Sequence, residues 1–229
     1  MKLVIFDFCE TLVNFQTADS FIDFVLNRSK RGSSRINKTV ISILYRMRLI
    51  ALTNRIFPDL NLSKRLCLYQ LHGLSTHEMD SWSKAFVAEK IYPNLIPELM
   101  EKLNNHKEAG DYIVLISGGY EDYLNVFAQQ ENIPVVMGTR IQRKNNRLTG
   151  FFEGADCLRK EKVNRLNEWL STQNNHFESL VLYSDSFTDM PLFKRVDHPI
   201  VVSKNRSQLW AQEYKFSEII YKEIWDSKI

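Results

Sequence analysis

The chain has 229 residues, 44% hydrophobic and 25% charged, proportions that allow a substantial buried core and exclude disorder as the main state. Eight glycines and six prolines exclude fibrous and low-complexity designs, while three cysteines with no C-x-x-C pair fit a reducing, cytoplasmic compartment. The net charge of +3 hides an asymmetry: residues 24–58 hold eight Lys or Arg and no Asp or Glu, leaving 22 basic against 27 acidic residues elsewhere.

Lys2 to Phe6 reads as a short buried strand that ends at Asp7 and the turn-prone Glu10-Thr11. Its apolar run meets Asp7 at once and is too short for a signal-peptide core. Residues 17–90 then show only helical spacing. Phe21, Phe24 and Val25 share one face, Ile43, Met47 and Ile50 another, and Leu66, Tyr69 and Leu71 to Leu74 form a further buried stretch. Breaks fall at Gly32-Ser33-Ser34 and Pro58-Asp59. The longest apolar stretch, Thr39 to Phe57, carries Arg46, Arg48 and Arg55, which argue against a membrane span.

Ile96, Leu99, Met100 and Leu103 mark a helix before a second strand, Tyr112 to Ile116, which runs into Ser117-Gly118-Gly119. Arg140 to Phe152 alternates around Lys144-Asn145-Asn146-Arg147 and reads as an antiparallel hairpin on the core. Val163, Leu166 and Leu170 mark another helix, and Leu180 to Tyr183 and Pro199 to Val202 are further strands. Strands alternating with helices predict an α/β fold with a doubly wound, mainly parallel sheet. The expected division is a core of 1–14 and 92–229 with an all-helical cap, 15–91, inserted in it.

In such sheets ligands bind beyond the carboxyl ends of the strands. Three strands deliver polar residues there: Asp7 with Thr11, Ser117 with Gly118, and Asp185 with Asp189. In this order, Asp7-Phe8-Cys9-Glu10-Thr11-Leu12, Ile116-Ser117-Gly118-Gly119, Lys162 and Ser184-Asp185-Ser186-Phe187-Thr188-Asp189 resemble the motifs of the haloacid dehalogenase-like hydrolase superfamily. Met137-Gly138-Thr139 through Leu148-Thr149-Gly150, then Cys157 and Lys162, are similar to its phosphoserine-phosphatase-like branch, which carries a helical cap just after the first motif.

The resemblance implies Mg²⁺-dependent hydrolysis of a small phosphomonoester through an aspartyl-phosphate on Asp7. It implies that Asp7, Asp185 and the Cys9 carbonyl hold the metal, and that Thr11, Ser117, Gly118 and Lys162 bind the phosphate. Asp189 then orients Lys162 or supports the metal. These residue types suit phosphoryl transfer, which needs a nucleophile, positioning and charge neutralisation. Lys162 is preferred to Lys160 because it directly precedes the apolar positions Val163 and Leu166.

Cys9 departs from the family pattern, whose phosphatases place a second Asp two residues after the nucleophile. A thiol with a pKa of about 8.5 is a poor general acid for an alkoxide. Three readings stay open. Glu10, His77 or a substrate group supplies the proton; the leaving group is an acyl phosphate or pyrophosphate that needs little protonation; or the chain is a phosphate-binding or regulatory module with little turnover. A metal-free dehalogenase fits less well, because Asp185 and Asp189 keep the metal-site pattern. The basic insertion suits a polyanionic substrate or an anionic membrane surface, with a solvated charged face as the plain alternative. No nucleic-acid motif accompanies its charges, so no nucleic acid is expected.

Overall fold

The computed structural model describes residues 1–29 and 61–222. Of the basic run, only Arg28 falls among them, and it pairs with Glu89 and lies over the Phe24 ring. Lys30, Arg31, Arg35, Lys38, Arg46, Arg48 and Arg55, the face of Ile43, Met47 and Ile50, and the breaks at 32–34 and 58–59 lie outside the described residues. No described helix is long and apolar enough to cross a membrane.

Six strands form one parallel sheet: β1 (Leu3–Phe6), β2 (Tyr112–Tyr120), β3 (Val135–Thr139), β6 (Leu180–Ser184), β7 (His198–Lys204) and β8 (Ser217–Tyr221), in the order β3-β2-β1-β6-β7-β8. β1 is wholly buried, as its uniformly apolar Leu3-Val4-Ile5-Phe6 requires in a sheet covered on both faces. It pairs with β2 from Leu3–Tyr112 to Phe6–Leu115, and with β6 from Leu3–Leu180 to Phe6–Tyr183. Successive strands run outward from β1 on one side and resume at β6 on the other. The chain therefore switches direction beside β1, where open α/β sheets form their binding crevice.

Two strands carry weaker sequence signals. β3 interrupts its apolar residues with Gly138, and β8 alternates as an edge strand. β2 is longer than its apolar run because Ser117, Gly118 and Gly119 continue it through a bulge: Ile116 pairs with Met137, yet Tyr120 pairs with Thr139. That bulge bends the strand at its polar residues.

The described part of the insertion is helical: α1 (Thr17–Arg28), α2 (Leu62–Tyr69) and α3 (Thr76–Phe86), continued by a π-helical turn, Val87–Ile91. Phe21, Phe24 and Val25 are buried on one face of α1, as their spacing requires. The stretch after them is less uniform, since Leu68, Leu71 and Leu74 are buried, Leu66 is half-buried and Tyr69 is exposed. Tyr69 instead stacks on His72 and meets Phe151. The two chain crossings lie side by side: Asn14 N–H donates to Asn94 O (3.0 Å) and Ile96 N–H to Leu12 O (2.9 Å).

The hairpin forms as expected from β4 (Ile141–Lys144) and β5 (Arg147–Phe152), with Asn145 and Asn146 both left-handed at its turn. Its backbone partners are in the helical insertion rather than the main sheet: Gly73 N–H donates to Leu148 O and Leu148 N–H to Leu74 O, both at 2.8 Å. Gly150 makes this approach possible, because its φ is +77° and an added Cβ would lie 2.9 Å from Tyr69 Cα. Gly150→Ala is expected to destabilise the protein by about 1–3 kcal/mol, read as a lower denaturant midpoint.

Candidate active site

Helices α4 (Pro97–Glu108), α5 (Glu121–Gln130) and α6 (Lys160–Ser171) complete the body around the central strands. A cavity of about 330 Å³ opens at their carboxyl edge, lined by Asp7, Cys9, Ser117, Gly118, Lys162 and Asp185 among others. The expected residues from three strands and one helix therefore converge.

Asp7 follows β1, and its amide donates to Tyr183 O (2.9 Å). The chain then turns tightly on the Phe8 carbonyl, which accepts from Thr11 (3.3 Å), Leu12 (2.9 Å) and Val13 (3.2 Å), with Glu10 left-handed at φ 52°. The turn carries Thr11 back to β6, where its hydroxyl donates to Asp185 Oδ1 (3.1 Å) and accepts from the Asp185 amide (3.1 Å). Thr11 thus braces Asp185 rather than lining the cavity.

Lys162, in the first turn of α6, is 2% exposed; Lys160 is exposed. The Lys162 Nζ lies 3.2 Å from Asp7 Oδ1 and donates to Asp189 Oδ2 (2.6 Å). Asp189 also accepts from Ser184 Oγ (2.7 Å), so it holds the ammonium from below. Burial alone would lower the Lys162 pKa, but Asp189 and Asp7 keep it well above the usual lysine value. Of the two expectations for Asp189, the contacts match the one that orients Lys162.

Burial raises Asp7 to about 6, against the pull of Lys162, and Asp189 adds to the rise. Asp185 is pushed to about 8 by burial and then by Asp7 and Glu10. Two carboxylates thus repel each other, and buried Asp7 Oδ1 meets Lys162 Nζ at 3.2 Å without a directed hydrogen bond. Hard oxygen donors in mutual repulsion fit Mg²⁺, which needs only one or two carboxylates and keeps several waters. Among the described residues no three His, Cys, Asp or Glu side chains cluster as a zinc-type site would require.

Ser117 Oγ accepts from the Gly119 amide (3.1 Å), which orients its hydroxyl at the bulge. A Cβ on Gly118 would meet Leu158 Cδ2 at 2.4 Å, so any larger residue there requires the Leu158 side chain to shift. Burial and Asp7 push the Cys9 thiol up to about 11, and its Sγ contacts Thr17 Oγ1 (2.9 Å), which contacts Tyr123 OH (2.6 Å). The thiol keeps its proton at neutral pH. His77, a candidate substitute acid, sits exposed in the first turn of α3 and does not line the cavity; Glu10 is not in the lining either, but it accepts from Gln16, which is.

The family model for haloacid dehalogenase-like hydrolases matches residues 4–194. The chain belongs to that family. It is 29% identical over 149 residues to a histidinol-phosphatase of Neisseria meningitidis serogroup C (strain 8013), covering 63% of this chain and 67% of that protein. It is 22% identical to the phosphoserine phosphatase of Methanocaldococcus jannaschii over 96% of both chains, which places this hydrolase in the phosphoserine-phosphatase-like branch. A crystal structure of a protein from Bordetella pertussis Tohama I shares the fold, with a TM-score of 0.79 at 24% identity, over 95% of this chain and 97% of the other.

The sequence reading missed a second buried ammonium in this hydrolase. Lys64, on α2, is 7% exposed and donates to Gly118 O (2.6 Å) and Thr139 Oγ1 (3.0 Å) while pairing with Asp156. Asn61 Nδ2 holds the other Asp156 oxygen (3.0 Å). One cluster therefore joins the insertion, the bulge of β2, the end of β3 and the segment leading to α6. Nothing local marked it, since a Lys in a Ser-Lys-Arg run ordinarily faces water.

Lys64→Met strands Asp156 and is expected to cost about 3–5 kcal/mol in denaturant unfolding, whereas Lys64→Met/Asp156→Leu recovers part of the loss. Equal destabilisation by single and double variants would show that the pair is not the source.

Proposed function

We propose that this hydrolase cleaves a small phosphomonoester through an aspartyl-phosphate on Asp7. The observation that carries the reading is the buried pairing of Asp7 with Lys162, itself held by Asp189, beside Ser117 and Gly118. In this reading the helical segment 15–91 caps a core of 1–14 and 92–229.

One Asp7 carboxylate oxygen attacks phosphorus, and the bond to the leaving oxygen breaks. The leaving alkoxide takes up a proton and departs as an alcohol. Water then attacks the phosphorus of the acyl phosphate, loses a proton, and releases inorganic phosphate with the Asp7 carboxylate restored. Splitting one displacement into two lowers each barrier. Ser117 Oγ and the Gly118 amide bind phosphoryl oxygens, and Lys162 offsets the combined charge of carboxylate and phosphate. Asp189 and Ser184 keep Lys162 aimed at Asp7. Asp7, Asp185 and the Cys9 carbonyl would hold Mg²⁺, which supplies Lewis-acid neutralisation of phosphoryl charge when bound.

Cys9 supports a second reading, a phosphate-binding or regulatory module with little turnover. A thiol raised to about 11 and tied to Thr17 is neither an efficient acid nor a base at neutral pH. Under the first reading, the leaving oxygen takes its proton from solvent or from the substrate itself, or needs little protonation.

A phosphate-ester panel run with and without Mg²⁺ separates the two. Hydrolysis is expected with Mg²⁺, and Asp7→Asn is expected to reduce it by about three orders of magnitude or more. Phosphate binding without turnover across the panel would favour the module. Cys9→Asp is expected to raise turnover of simple alkyl phosphates by about 10²-fold, the lower range of general acid help. A lower rate on the native substrate would give the thiol, or its size, a positive role.

A further inference from the structure

The catalytic cavity is small and polar, and it does not stand alone. A second cavity of about 700 Å³ adjoins it, and Leu158 and Thr188 line both. Its apolar surface comes from Leu158, Phe187, Met190 and Pro191, and α2 contributes Arg65 from the insertion. The two cavities therefore adjoin at Leu158 and Thr188, and the second is walled by core and insertion together.

Phe187 is the least expected member. It follows Asp185 by two residues, yet it is 52% exposed, although a phenyl ring ordinarily gains by burial. Its ring meets Trp210 edge-on at 5.6 Å between centroids, and Trp210 packs on Phe193 at 5.6 Å. The edge-on Trp210 contact supports the ring, which lines the second cavity. None of the steps assigned to Asp7, Ser117, Lys162 or Asp189 uses it.

The charges around this space are also informative. Both carboxylates in its wall are engaged: Asp156 by Lys64 and Asn61, and Glu161 by Arg165 (3.1 Å). Arg65, Arg159 and Lys160 stand in the same wall, so an ammonium-bearing leaving group would meet cations rather than an unengaged carboxylate. The large volume, the apolar floor and the supported ring suit a carbon body instead.

We propose that this second cavity is the leaving-group subsite, and that the native substrate is the phosphate ester of an alcohol with an apolar alkyl or aryl body. This deepens the phosphatase reading and rests on it. The phosphate sits at Asp7 and Ser117, the ester oxygen passes Leu158, and the carbon body packs on Phe187, Met190 and Pro191.

Two alcohols of similar acidity test this without a difference in intrinsic reactivity. The ratio of kcat/KM for 2-phenylethyl phosphate to that for ethyl phosphate is expected to be at least about tenfold, since a buried phenyl group adds several methylenes' worth of transfer energy. Phe187→Ala is expected to lower that ratio at least about threefold, with the fold retained because the side chain is half exposed. The dissociation constants of 2-phenylethylphosphonate and ethylphosphonate, measured calorimetrically, give the same comparison without turnover.

Ratios near one in both assays, with ethyl phosphate still hydrolysed, would overturn the subsite and leave the phosphatase reading intact. A tenfold phosphonate preference that Phe187→Ala weakens, with no ester hydrolysed, would support the subsite and overturn the phosphatase reading. A wild-type preference untouched by Phe187→Ala would overturn the proposed placement of the carbon body.

Discussion

One ammonium held between two carboxylates organises the catalytic end of this protein. Lys162 is buried between Asp7 and Asp189, and taking three such charges out of water is costly unless each is paired. The pairing is arranged unevenly. Asp189 Oδ2 accepts from both Lys162 and Ser184, whereas Asp7 Oδ1 meets the same ammonium only as a 3.2 Å ion pair without a directed hydrogen bond. The ammonium is thereby anchored to one carboxylate and available to offset charge at the other.

This geometry needs three chain segments that are far apart in sequence. The central position of β1, with β2 and β6 pairing on either side, brings Asp7, Ser117 and Asp185 to one edge of the sheet. The local devices are equally specific. A tight turn on the Phe8 carbonyl returns Thr11 to Asp185, and a bulge bends β2 at Ser117 and Gly118. Each device removes freedom from a group at the cavity edge, which is what electrostatic preorganisation requires.

The helical insertion is coupled to that edge rather than merely laid on it. Lys64 reaches from α2 to the Gly118 carbonyl, and residues 73–76 hydrogen-bond to the hairpin. A change in the insertion is therefore felt at the phosphate-facing bulge. The same contact makes the insertion one wall of the second cavity, where Arg65 lies opposite the residues that follow Asp185. Cys9 stands at the point where these two halves meet, bonded to Thr17 of α1, and its buried thiol removes the acid and base that the family pattern places there.

Much of this was legible in the sequence. Uniform apolar runs specify buried parallel strands, because both faces of such a strand are covered, and polar residues directly after them mark the binding edge. Asp7, Ser117, Asp185 and Asp189 were found that way, Lys162 came from the family resemblance, and Asn145-Asn146 marked the hairpin turn because two successive left-handed residues suit a two-residue loop. β3 and β8 were less legible, since glycine and edge alternation blur the strand period. Only the tertiary structure decided that Thr11 braces Asp185, that His77 is remote, and that Lys64 and Asp156 share a buried pair. Only it joined Leu158, Phe187 and Pro191 into a second cavity. Sequence periodicity reports which face of an element is buried, but a contact between side chains of distant segments depends on how those elements pack, and no local pattern encodes that.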